Sequence, residues 1–185
     1  MNDTEIVDLY WKREERAIEE TSKKYGSYCY AIAYNILANH EDSEESVNDT
    51  YIEAWNAIPP NRPQALAAFL GKLTRRLAID RWRSRNAKKR GGGEVACVLE
   101  ELEECILQEN STEQHLEKQM LAEAINHFLG QLSATERKIF VCRYFYMESV
   151  ESVCKRFGYS ESKVKSTLFR TREKLRVYLQ KEGFR

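Results

Sequence analysis

Between Phe69 and Arg90 the chain places nine cationic side chains against a single acid, Asp80, and threads them with Trp82. Guanidinium and ammonium groups at this density neutralise phosphate oxygens. An indole among them offers a ring on which an unpaired base stacks, for about 1–3 kcal/mol per base. A second cationic stretch, residues 155–176, holds eight cations and two acids. It mixes lysine and arginine with Ser162 and Ser166, the types that reach phosphates and base edges in a major groove. The segment "HEDSEESVNDTYIEAW" is acidic instead, and residues 91–123 hold nine glutamates and one lysine. Acids repel nucleic acid, so these segments suit a protein partner or a solvated face.

Other chemistries find little support. His40, His115 and His127 are isolated, and the five cysteines (Cys29, Cys97, Cys105, Cys142, Cys154) contain no C-x-x-C pair, so neither a zinc site nor a disulfide framework is indicated. Cys29, Cys142 and Cys154 fall at apolar helical positions and read as small core residues. Cys97 and Cys105 lie in the acidic segment, where nothing lowers a thiol pKa. The carboxylates gather on one helix face without a partner histidine, which predicts no metal, no cofactor and no catalysis.

The elements that must position these groups follow from the pattern. At 185 residues with 29 basic and 29 acidic side chains, the chain is neutral overall but strongly segregated, and long enough for one or two small domains. No run approaches a membrane span, and the acidic N-terminus is unlike a signal peptide, so a cytoplasmic protein is predicted. The three glycines of "KKRGGGEVAC" break the chain. The expected division is a helical domain over 1–87, a flexible acidic connector over 88–118 with transient helix in "CVLEELEECILQ", and a second helical domain over 119–185. The fold class is all-α.

Tyr25, Tyr28, Cys29, Ile32, Ala33, Ile36 and Leu37 repeat as an amphipathic stripe. A second helix is predicted from Asp42 or Ser43, with Val47, Tyr51, Ala54, Trp55 and Ile58 on one face, ended by "PPNRP". Its opposite face carries Glu45, Asp49, Glu53 and Asn56 around Ile52, a surface suited to a protein partner. A third, from Gln64 to Arg85, buries Leu66, Phe69, Leu70, Leu73 and Leu77 and turns Lys72, Arg75, Ile79 and Trp82 outward. On the same count Asp80 lies near the buried stripe and is expected to fix Arg76 and Arg83. Trp82 either stacks on nucleic acid or packs against the N-terminal helix.

In the second half, Ser133 and Glu136 form a capping box for a helix reaching Tyr146. A short helix from Ser149 to Phe157, Gly158 as C-cap, and a Ser160-capped helix to Leu179 make a helix-turn-helix. Val164, Leu168, Thr171, Leu175 and Leu179 lie on one side of the last helix; Ser162, Lys163, Ser166 and Arg170 lie opposite, with Phe169 also outward.

In this order the parts resemble bacterial sigma factors of the sigma-70 family, in the compact extracytoplasmic-function form with regions 2 and 4 only. "EDSEESVNDTYIEAWNAI" is similar to region 2.2, "FLGKLTRRLAIDRWRSR" to regions 2.3 and 2.4, and "LSATERKIFVCRYFYMESVESVCKRFGYSESKVKSTLFRTREKL" to region 4. The resemblance implies a non-enzymatic subunit that binds core RNA polymerase, recognises promoter DNA and assists melting. It assigns Asp49, Glu53 and Asn56, beside Glu45 and Ile52, to polymerase. Arg75, Arg76, Arg81, Trp82 and Arg83, with Lys72, go to the minus-ten element. Lys163, Lys165, Ser166, Thr167 and Arg170, with Ser162, go to the minus-thirty-five element. It also implies an anti-sigma protein as a further partner. The rival reading is a polymerase-independent helix-turn-helix regulator, for which the N-terminal half shows no dimerisation or ligand-domain signature. Attraction between the acidic connector and the basic helices is a further expectation.

Overall fold

A computed structural model describes residues 1–86, 93–103 and 114–184. Nine helices run through the described residues, and the chain divides into two compact units, Met1–Arg90 and Gly91–Arg185.

The first unit contains α1 (Asp3–Trp11), α2 (Arg16–Leu37), α3 (His40–Ala57) and α4 (Leu66–Asn86). Asn2 opens α1 through a reciprocal capping box with Glu5, satisfying two amides that the first turn leaves without acceptors. Asp3 then ties α1 to α2, accepting from Lys24 Nζ at 2.7 Å and Tyr25 Oη at 2.6 Å. Ala38 takes a left-handed conformation (φ 48°) and ends α2. The start of α3 lies earlier than Asp42, because the Asn39 side chain accepts from the Asp42 amide at 2.9 Å and caps the helix there.

Packing follows the apolar stripes. Ile32, Ala33 and Ile36 of α2, Val47 and Ala54 of α3, and Leu66, Leu70 and Ala78 of α4 are buried together with Ile6 and Tyr10 of α1. The inner side of α3 is lined by small hydroxyl residues: Ser43, Ser46 and Thr50 are all fully buried. Thr50 Oγ1 bonds the Ser46 carbonyl at 2.7 Å and Thr74 Oγ1 of α4 at 3.1 Å, so a polar pair is satisfied at the α3–α4 contact. Gly26 matters to the α2–α3 approach, since a Cβ there would stand 3.3 Å from Tyr51 Oη.

The second unit contains α5 (Gly93–Glu103), α6 (Gln114–Gln131), α7 (Ala134–Tyr144), α8 (Val150–Phe157) and α9 (Glu161–Lys181). The Ser133–Glu136 capping box is present, and Ser149 and Ser160 cap α8 and α9. Gly158 ends α8 at φ 66°, the left-handed region glycine enters at no steric cost. Phe128, Ile139, Phe140, Val153, Val164, Leu168, Leu175 and Leu179 form the core.

Part of the expected connector is therefore an ordered helix. α5 packs on α7 and buries Val95 and Val98 within the second unit. Residues 87–92 and 104–113, with Cys105, lie outside the described residues. Cys29 and Cys142 are buried and Cys97 is exposed; burial pushes the Cys142 thiol up to about 11, so it is held as a neutral thiol. Among the described residues no helix is long and apolar enough to cross a membrane, and no cluster of three or more His, Cys, Asp or Glu is placed to hold a metal ion.

Candidate nucleic-acid interface

In the first unit the two charged helices lie side by side, and their charges meet. Arg81 of α4 pairs with Glu45, with Asp49 at 3.0 Å and with Asp42 at 3.9 Å. Arg85 also reaches Asp42, and Arg76 reaches Glu53 at 2.8 Å. The partners run in opposite chain directions, as neighbouring antiparallel helices require. Arg81 holds the Glu45 carboxyl below its ordinary range, chiefly by hydrogen bonding. Sequence reasoning placed these residues on separate surfaces and missed Asp42 and Arg85. The signal was there in the regular spacing of Asp42, Glu45, Asp49 and Glu53 opposite Arg76, Arg81 and Arg85.

The rest of the expected acidic face is open. Ile52 is 57% exposed and Asn56 is exposed beside it. An aliphatic side chain left in water among carboxylates is a candidate protein contact.

The expected cationic face needs three corrections. Lys72, Arg76 and Arg83 are exposed, but Ile79 is buried, because α4 packs against both α2 and α3 and its covered arc is wider than one stripe. Arg75 is only half-exposed. Its Nε is buried without a hydrogen-bond partner, and burial, with Arg83 nearby, pushes its pKa below the ordinary arginine value. Asp80 is exposed, and Arg76 is held by Glu53 rather than by Asp80. Trp82 is half-buried.

At the turn before α4, Arg62 lies over the Trp11 ring at 5.6 Å while pairing with Asp8, and Arg13 lies over Trp55 at 5.3 Å while donating to the Trp55 carbonyl at 2.6 Å. The Arg62 contacts fasten the α3–α4 loop to α1, and the Arg13 contacts fasten the α1–α2 connection to α3.

In the second unit the helix-turn-helix is built by α8 and α9. The outer face of α9 exposes Ser162, Lys163, Lys165, Ser166 and Arg170, and Phe169 is 59% exposed among them. Lys163 Nζ sits 3.6 Å from the Tyr159 ring centroid, which orients the ammonium at the start of the helix. Lys165 pairs with Glu161 at 2.5 Å, one turn back. Thr167 is the exception to the expected set: it is buried at 7% exposure with Val164, Leu168 and Thr171 on the inner side, so it faces the core rather than a groove. α9 is held in place by Lys174, which donates to Glu136 at 2.6 Å.

An all-α chain with a capped helix-turn-helix in one unit and a cationic, aromatic-bearing helix in the other has the parts of a DNA-binding protein. The ECF sigma factor family matches residues 39–181, and the chain belongs to that family. A curated relative, the ECF RNA polymerase sigma factor SigE of Mycolicibacterium smegmatis, is 23% identical over 165 residues. That alignment covers 89% of this chain, and the chain spans 62% of the length of SigE. A solved structure of CnrH in complex with the cytosolic domain of CnrY is 20% identical, with a TM-score of 0.44, and the match covers 96% of this chain and 97% of that one.

Proposed function

We propose that the chain is a promoter-specificity subunit that joins core RNA polymerase, directs it to promoters and stabilises the melted strand, with no catalysis of its own. The observation that carries this reading is the division of faces on the first unit. Ile52 and Asn56 stand open on α3, whose carboxylates are matched by Arg76, Arg81 and Arg85, while Lys72 and Arg83 remain exposed on α4 for DNA. The outer face of α9 supplies the second DNA contact, through Ser162, Lys163, Lys165, Ser166 and Arg170 to a minus-thirty-five element. Lys72, Arg75, Arg76, Arg81, Trp82 and Arg83 would serve the minus-ten element. Melting needs no chemistry: a surface that binds the opened strand more tightly than the duplex shifts the equilibrium by that difference in affinity.

The ion pairs refine this account. Glu45, Asp49 and Glu53 reach polymerase, and Arg76 and Arg81 reach DNA, only by exchanging partners they already hold in the chain. An anti-sigma protein that held the factor inactive would have the same open faces to cover.

Ile52 gives the cleaner test, since it makes no ion pair and its exposure leaves the core untouched. Ile52→Arg should abolish co-purification with core RNA polymerase while leaving the thermal midpoint within about 2 °C of the native chain. Native-like polymerase binding by that variant would sink the assignment of this face.

A further inference from the structure

Along the seam between α2 and α3 runs a groove of about 470 Å³. Ser22, Gly26 and Tyr30 line it from α2, and Glu44, Asn48 and Tyr51 from α3. None of the six belongs to the faces proposed for polymerase or DNA. Ser22, Gly26 and Tyr30 follow one another at single helical turns, so the groove extends about 12 Å, the span of three to four residues of extended chain. Its floor is clear because residue 26 is glycine: a Cβ there would stand 3.3 Å from Tyr51 Oη and 3.7 Å from Ser22 Oγ. The Tyr51 ring is buried beneath, and Glu44 and Asn48 are exposed on the rim.

At one end the wall is aromatic. Tyr30 stacks on Tyr34 with ring centroids 5.8 Å apart, and His40 lies 5.0 Å from the Tyr34 ring. A hydrogen bond between Tyr30 Oη and His40 Nδ1 fixes the Tyr30 ring in place. Burial first, then Tyr34 and the Glu44 carboxylate, push the Tyr30 phenol above its ordinary pKa, so Glu44 stands near that hydroxyl. Ring faces and a carboxylate both attract a cation. The chain fills neither role here with its own side chains. Asp42, Glu45, Asp49 and Glu53 of α3 are paired with arginines of α4, whereas Glu41 and Glu44 make no ion pair among the described residues. Cations of the first unit lie over Trp11, Tyr25 and Trp55; among the described residues none lies over Tyr30, Tyr34 or Tyr51.

We propose that this groove is a docking site for an arginine side chain carried on an extended segment of a partner protein. Glu41 and Glu44 repel phosphates, so nucleic acid does not suit it. A planar guanidinium can stack on the Tyr30 ring while donating to Glu44, a combination that a compact ammonium serves less well. Ser22 and Asn48 offer donors and acceptors for the backbone of the incoming segment. Ile52, 57% exposed, stands one helical turn beyond Asn48, so an apolar contact continues from the groove along α3.

The test is a titration of the full chain, without polymerase or DNA, with acetyl-Gly-Gly-Arg-Gly-Gly-amide at neutral pH, followed by amide chemical shifts. The same peptide with citrulline, an uncharged isostere of arginine, and ethylguanidinium alone serve as comparisons. The arginine peptide should give saturable shifts confined to residues 22–34 and 40–51, with a dissociation constant in the millimolar range, and the citrulline peptide should give none. Ethylguanidinium, which lacks the segment, should bind at least about threefold more weakly. Glu44→Gln, at an exposed position that leaves the core untouched, and Tyr30→Leu should each weaken the peptide about two- to fivefold. Absence of localised shifts, equal shifts with citrulline, or unchanged affinity in Glu44→Gln would overturn the proposal. So would ethylguanidinium binding as tightly as the peptide, because the occupant would then be a free small cation and not a protein.

Discussion

Arg81 shows how much a single side chain in this protein is asked to do. It belongs by resemblance to the minus-ten surface, yet its guanidinium is shared among Asp42, Glu45 and Asp49 of the neighbouring helix. Any substitution there changes both the packing of α3 on α4 and the charge offered to DNA, so loss of promoter binding by an Arg81 variant would not by itself prove contact. Glu136 closes the capping box with Ser133 and accepts from Lys174, and its titration makes these contacts measurable. Bonds from Lys174 and from Ser133 lower its pKa from an ordinary 4.5 to about 2. A carboxyl depressed in the folded chain adds stability that is complete above the unfolded value and disappears as the pH falls through the folded one. The stability difference between the native chain and Glu136→Gln should therefore be constant above about pH 5.5 and shrink towards pH 2. A difference that does not change across that window in denaturant titrations would show that the bonds from Lys174 and Ser133 do not hold the Glu136 carboxylate in solution.

At the level of elements, what was legible in the sequence was local and what was not depended on distant partners. Ser133 with Glu136, Gly158 and Ser160 mark their helix ends through atoms three or four residues away, and the caps stand where those residues indicate. The apolar stripe of α9 is likewise buried as its spacing implies. Ile79 was turned outward by a count from one stripe, and Thr167 was placed on the outer face by the resemblance, yet both are buried. A count from a single stripe assumes one packing partner, whereas α4 meets α2 and α3, and α9 meets α6, α7 and α8, so the buried arc widens by a residue. The docking of α5 could not be read locally at all, because its partners Arg143 and Arg172 lie 42 and 71 residues away. Gly158 tests the turn that aims α9. A Cβ there meets nothing within 4 Å, so Gly158→Ala is strained by its backbone alone, and should cost about 1–2 kcal/mol. Chemical denaturation reads this directly, and a cost near zero would mean that the turn relaxes out of the left-handed region.

Across the whole molecule, a net charge of zero conceals blocks that are each assigned to a different neighbour. The acidic face of α3 suits a protein, the cationic faces of α4 and α9 suit DNA, and Glu101 is spent on the chain's own arginines. Among the described residues, Glu101 of the acidic segment pairs with Arg143 of α7 and with Arg172 of α9, all within the second unit. The central claim, that this chain gives polymerase a promoter it would not otherwise use, is tested most directly by run-off transcription. Purified core RNA polymerase would be supplied with fragmented host genomic DNA, with and without the chain. The account predicts new discrete transcripts that appear only with the chain and disappear with Ile52→Arg. Transcripts identical in its presence and absence, from a core enzyme shown to be active with another sigma factor, would contradict it.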